Sequence, residues 1–244
     1  MASHLHRPDG ERLAYEAMAG EGRTVVWLGG FNSDMAGTKA QALAEWASQR
    51  GRAYVRFDYF GHGASSGEFV RGTISRWRAD ALAVIDELTT GPLILVGSSM
   101  GGWIATLAAL ARPERIAGVV LIAPAADMTD KLMEPELDSE ARKSLATSGV
   151  WVRPSPHGPG DAISRALLED GRAWSVLPGP VASDAPLQVL QGGADADVPW
   201  THALALAQAW RGDDVVFTLV RDGDHRLSRP QDLTRLIAAV ETLS

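Results

Sequence analysis

The chain has 244 residues, 45% of them hydrophobic and 22% charged, with a formal net charge of −7 and no cysteine. This balance suits a soluble globular protein with one sizeable core and excludes a disordered chain, a coiled coil or a disulfide-stapled scaffold. It also removes any thiolate nucleophile and any Cys-type zinc or iron–sulfur site, and the scattered basic residues leave no footprint for nucleic acid.

Met1 to Glu16 is polar, of mixed charge, and lacks the apolar core of a signal peptide. No apolar run approaches the roughly 20 residues of a membrane-spanning helix. The expectation is a cytoplasmic protein, with His4 and His6 in a terminal tail. From Arg12 onward, strands and helices alternate. Arg12–Ala17 and Thr24–Leu28 read as strands, Thr38–Gln49 as a helix stopped by Gly51, and Ala53–Asp58 as a strand. Ile74–Leu88 is helical, with Leu82, Ile85 and Leu88 three apart. Strand Leu93–Gly97, helix Met100–Ala111 and strand Gly118–Ala123 follow. Asp127 to Pro180 then breaks the rhythm, before strand Leu187–Gln191, helix Thr201–Trp210, strand Val215–Val220 and helix Pro230–Leu243. Strands as apolar as Val25-Val26-Trp27-Leu28 and Leu93-Ile94-Leu95-Val96 fit a parallel sheet covered on both faces. The alternation predicts a three-layer α/β/α fold with a mostly parallel central sheet. Asp127–Pro180 is too long for a plain crossover. Rich in Pro, Gly and charge, with weak helical patches at Ser139–Ala146 and Asp161–Glu169, it reads as a small cap inserted into a single domain of residues 1–244.

Gly97-Ser98-Ser99-Met100-Gly101 joins an apolar strand to an Ala/Leu helix, which is G-x-S-x-G in strand–turn–helix context. A serine perched on so sharp a turn needs tiny residues two places before and after it. Gly97 and Gly101 meet that demand around Ser99, whereas Ser98 is flanked by Val96 and Met100. The Met100 N–H then lies at a helix N-terminus, where free amides and the dipole favour negative charge. A second donor to an oxyanion is expected from the loop Gly29-Gly30-Phe31-Asn32, at the N–H of Phe31.

A serine hydroxyl needs a base. Of the six histidines, His225 follows a late strand, where a base facing Ser99 would sit. His62 lies in Gly61-His62-Gly63, His157 in the Pro-rich stretch, and His202 at the start of a helix. An acidic partner must orient the imidazole. Asp195 is favoured, since Val198-Pro199 leads away into the next helix, while Asp127 and Asp197 stay open as alternatives. Asp222 and Asp224 are too close to His225 in the chain to orient it. The order Ser…Asp…His is the one expected of an α/β-hydrolase fold.

With these residues in place, the chain resembles the abhydrolase-domain group of palmitoyl-protein thioesterases and acyl-glucuronide esterases within the α/β-hydrolase superfamily. The resemblance is carried by Ser33-Asp34-Met35 with Gly37-Thr38-Lys39-Ala40, by Arg56-Phe57-Asp58-Tyr59 with Gly61, Gly63 and Ser65, and by Gly91-Pro92. It continues through Val96 to Ser99 with Gly101-Gly102-Trp103, Val198-Pro199-Trp200 and Asp224-His225-Arg226. It implies a Ser99–Asp195–His225 triad and cofactor-free hydrolysis of acyl thioesters or esters.

The expectation is a serine hydrolase acting on a small-molecule or acylated substrate. A small-ester carboxylesterase, lactonase or peptidase is the alternative, and a non-catalytic binding protein on this fold is a more distant one. Trp103, Trp151, Trp174 and Trp200 are candidates to line an acyl pocket. Asp34, Thr38 and Lys39 are expected to start the first helix, with substrate positioning as the alternative, Arg56 and Asp58 to knit the loop after their strand, and His62 to be structural, with a place at the pocket mouth as the alternative. No His/Asp/Glu cluster has metal-ligand spacing and no dinucleotide glycine motif follows a strand, so neither metal nor nucleotide is expected.

Overall fold

The computed structural model describes residues 2–155 and 158–244, so His157 lies outside the described residues. Strands β1 (Ser3–His6), β2 (Arg12–Met18), β3 (Glu21–Leu28), β4 (Arg52–Phe57), β5 (Leu93–Ser98) and β6 (Ile116–Ile122) are followed by β7 (Val150–Ser155), β8 (Gly158–Ser164), β9 (Leu187–Gly192) and β10 (Val215–Val220). The seven longer helices are α1 (Thr38–Arg50), α2 (Ile74–Leu88), α3 (Met100–Ala111), α4 (Ser139–Ser148), α5 (Arg165–Gly171), α6 (Trp200–Ala209) and α7 (Pro230–Leu243). Eight strands form one sheet in the order β1-β2-β4-β3-β5-β6-β9-β10, with β7 and β8 paired separately. Within the eight-stranded sheet only β1·β2 and β2·β4 are antiparallel, and every pair from β4 through β3 to β10 is parallel; the separate β7·β8 pair is antiparallel.

Alternate residues of the central strands feed two cores. Val26, Leu28, Leu93 and Leu95 face one side with Trp77 and Val84 of α2 and Trp103 of α3. Val25, Trp27, Ile94 and Val96 face the other with Leu43 of α1 and Val240 of α7. Both faces are thus dry, which explains strands without polar alternation. The order reverses at β3, whose chain returns first beside it as β4 and then on its other side as β5. Ligands of open α/β sheets bind outside the strand carboxyl ends at such a switch point. The loops there are Gly29–Asn32 and the Ser99 turn. Among the described residues, no helix is long and apolar enough to cross a membrane.

Two expectations are corrected. His4 and His6 are not in a tail; they pair with β2 in the register His4↔Ala14 and His6↔Arg12. The strand is largely exposed, so no buried face marks it in the sequence. Asp161–Ser164 is not helical either. It belongs to β8, and α5 begins only at Arg165, where Ser164 caps it by accepting the Leu167 N–H. Prolines mask this hairpin in the sequence, yet Pro154 is tolerated because a two-stranded sheet has only edges. Between β6 and β9 the chain thus holds a π-helical turn (Thr129–Met133), α4, the hairpin and α5.

Candidate active site

Ser99 sits between β5 and α3 at φ 54°, ψ −120°, a left-handed backbone that costs a non-glycine residue about 1–3 kcal/mol. Its surroundings hold it there. The Ser99 N–H donates to the Ile122 carbonyl at 2.9 Å, and the Ser99 carbonyl accepts from Gly102 and Ala125. The flanking glycines are steric necessities. A Cβ at Gly97 would lie 2.3 Å from the Gly101 oxygen, and one at Gly101 2.1 Å from the Leu28 oxygen. Gly30 brings the β3 loop close, since its Cβ would stand 3.4 Å from that of Ser99.

The loop after β10 carries His225, whose Nε2 lies 3.1 Å from Ser99 Oγ and whose Nδ1 lies 2.9 Å from Asp195 Oδ2. The Asp195 side chain is fully buried. Its Oδ1 accepts the Asp197 and Val198 N–H groups, and its Oδ2 also accepts from Gln191 Nε2. Burial pushes this carboxyl up, but the His225 hydrogen bond and the backbone donors outweigh it, and the group is held below the ordinary aspartate value. An ionised carboxylate only accepts. The His225 proton therefore resides on Nδ1, leaving Nε2 free to take the serine proton.

The alternatives for the acid are placed elsewhere. Asp127 is buried and occupied by Ser175 Oγ and the Val176 and Leu177 amides. Asp197 is exposed. Asp222 pairs with Arg229, and Asp224 accepts the Leu227 N–H. Gln191, a buried amide closing an apolar strand, is absent from the sequence expectations although it braces Asp195; a polar residue at that strand end is its one signal. Asp195, Asp197 and His225 bring ligand atoms within 4.8 Å of one another, a cluster that spacing along the chain does not reveal. A cation there would compete with the bonds that His225 makes to Asp195 and Ser99.

The Met100 N–H opens α3, and Phe31 lies on the loop that Gly30 brings against Ser99. Neither amide has a protein acceptor among the described residues. Two cavities meet at Phe31, Ser99 and His225. One, of about 620 Å³, has Ala125, Met128, Leu132, Met133 and Val198 as apolar lining and Glu136, Arg153, Asp161 and Arg226 as charged lining. The other, of about 470 Å³, is bordered by polar groups including Asn32, Ser33, Thr38 and Ser228.

None of the four tryptophans lines either cavity. Trp103 is fully buried, and its indole donates to the Trp174 carbonyl at 3.1 Å. The Trp174 indole donates to Ser75 Oγ at 2.7 Å, with the Arg78 guanidinium 4.4 Å above the ring. These residues fasten the inserted segment to α2 and α3. Trp151 is half-buried on the hairpin, and Trp200 is 41% exposed at the start of α6. Lys39 does more than start a helix, because its amine donates to the Arg226 carbonyl beside His225. Arg56 pairs across the sheet with Glu16, not with the following loop, whereas Asp58 does bind that loop through the Ala64 N–H.

The family model described as serine aminopeptidase, S33 matches residues 21–170. The palmitoyl-protein thioesterases ABHD10, mitochondrial, of Homo sapiens and Bos taurus are each 35% identical over 243 residues, covering 99% of this chain and 79% of theirs. Alpha/beta hydrolase domain-containing protein 10 from mouse superimposes with a TM-score of 0.91 at 34% identity, covering 100% of this chain and 98% of its own. An Agrobacterium vitis S4 protein provisionally called a hydrolase has a TM-score of 0.94 at 46% identity, covering 100% and 97%.

Proposed function

This chain belongs to the α/β-hydrolase family of serine hydrolases that the serine aminopeptidase S33 model describes, and on that footing we propose that it cleaves acyl thioesters and carboxylic esters through an acyl-enzyme on Ser99. The observation that carries the reading is the relay of 3.1 and 2.9 Å from Ser99 through His225 to Asp195. His225 Nε2 takes the proton as Ser99 Oγ attacks the acyl carbonyl. The Phe31 and Met100 amides hold the oxyanion, each worth on the order of 10²–10³ in turnover. Collapse expels the thiol or alcohol, protonated by His225. Water, deprotonated by the same imidazole, then releases the acid and regenerates Ser99.

In this reading residues 127–180 cap a single domain, and the acyl chain lies over Met128, Leu132 and Met133. The relatives' name, palmitoyl-protein thioesterase, supports a thioester. The charged lining at Glu136, Arg153 and Asp161 favours, as a second reading, a short polar ester. A panel of thioesters and oxyesters from two to sixteen acyl carbons separates the two. Turnover of thioesters that rises with chain length is expected, and a sharp preference for short oxyesters overturns the thioesterase assignment.

A further inference from the structure

We propose that His62 and Asp161 are positioning residues that hold Asn32 by its backbone and its side chain, and so aim the neighbouring Phe31 N–H at the reacting carbonyl. The inference rests on the reading of Phe31 as an oxyanion donor. Asn32 adopts φ 53°, a left-handed conformation that asparagine tolerates better than most residues. Its N–H donates to His62 Nε2 at 3.2 Å, and its Nδ2 donates to Asp161 Oδ1 at 2.8 Å. The peptide between Phe31 and Asn32 is planar, so fixing the Asn32 N–H fixes the Phe31 carbonyl as well. The Phe31 ring is held independently, edge-on to Phe69 at 4.9 Å and to Trp77 at 5.9 Å.

His62 is suited to accept. It is buried among Tyr59, Phe69 and Trp77, and its Nδ1 faces the Phe60 carbonyl at 3.1 Å. A carbonyl cannot donate, so Nδ1 carries the proton and Nε2 is bare. Burial also lowers the pKa of this ring, which keeps it neutral. Phe60 is anchored in turn, its N–H donating to Asp80 and its carbonyl accepting from Trp77. Asp161 comes from β8 in the inserted segment, and Arg153 of β7 holds its other oxygen at 2.9 Å. The hairpin thus takes part in setting the oxyanion loop, in addition to walling the cavity.

The test uses the purified full chain and its H62L, H62Q, N32A and D161A variants. Three quantities are read: kcat and KM for a chromogenic ester, and Ki for an alkyl trifluoromethyl ketone, whose serine adduct is an oxyanion. H62L is expected to lower kcat tenfold or more with KM within twofold, and to weaken the ketone by a similar factor. H62Q, whose amide oxygen can accept the Asn32 N–H, is expected to restore most of the loss. Folded H62L with wild-type kcat, or H62L and H62Q equally impaired, overturns the proposal. Should H62L fail to fold, N32A and D161A decide, since Asn32 is exposed. Each is expected to lose kcat severalfold, and wild-type turnover in both overturns the proposal. An active Ser99→Ala variant would sink the acyl-enzyme reading instead, a separate failure.

Discussion

Asp195 and Lys39 carry opposite charges and bond to neighbouring residues of one loop, Asp195 to the His225 ring and Lys39 to the Arg226 carbonyl. Asp195 is a buried carboxylate whose charge its donors favour, and in the proposed mechanism it holds the imidazole proton on Nδ1. Asp195→Asn keeps the shape but offers an amide that can force the wrong tautomer. It should lower kcat by on the order of 10⁴-fold with the fold intact, and kcat within tenfold of wild type in steady-state assays would contradict that role. Lys39 is a half-buried cation. Burial, opposed by Asp224 and aided by Arg226, lowers its pKa to about 8. The unfolded chain keeps this proton until about pH 10.4. Between those values the unfolded state binds more protons, so this group makes stability rise with pH. Urea unfolding at pH 7.5, 9 and 10 should show wild type gaining on Lys39→Met as pH rises; a flat or falling difference contradicts the burial of this charge.

The strand–turn–helix around Ser99 depends on two Cβ atoms that are not there, those of Gly97 and Gly101. The Cβ that Gly101→Ala adds would lie 2.1 Å from the Leu28 oxygen in the central strand β3, where the backbone cannot retreat. Overpacking of this kind costs about 1–3 kcal/mol, and here it would also displace Ser99. Gly101→Ala should therefore lower the Tm and reduce kcat at least a hundredfold, on the order of losing one oxyanion donor. Thermal unfolding and steady-state kinetics of the one variant check both. Elements bounded by strong local signals were legible in the sequence, α2, α3 and α7 to the residue. The β7–β8 hairpin was not, since Pro154 and Gly160 read as loop and only the paired strand supplies the order. Strand β1 was hidden because a largely exposed edge strand needs no apolar face.

For the whole molecule, topology decides what local pattern leaves open. The reversal of strand order at β3 sets the Gly29–Asn32 loop beside the Ser99 turn, and the loops after β9 and β10 deliver Asp195 and His225 to the same edge. That Ser99 and His225 come together was readable because a tight turn and a late sheet-edge loop leave marks in the chain. The choice among Asp127, Asp195 and Asp197 was less so, because it rests on which carboxylate the fold buries against His225 and which it spends on Ser175 Oγ and the Val176 and Leu177 amides. The cavity lining was least legible. The inserted segment turns Trp103 and Trp174 into fasteners and leaves methionines near Ser99. The proposed mechanism stands on Ser99 as the covalent nucleophile. Its most direct test is the intact mass of wild type and Ser99→Ala after reaction with a fluorophosphonate. A single adduct is expected on wild type, mapped to the peptide containing Ser99, and none on the variant. Equal labelling of the two proteins, or an adduct on another residue, would contradict it.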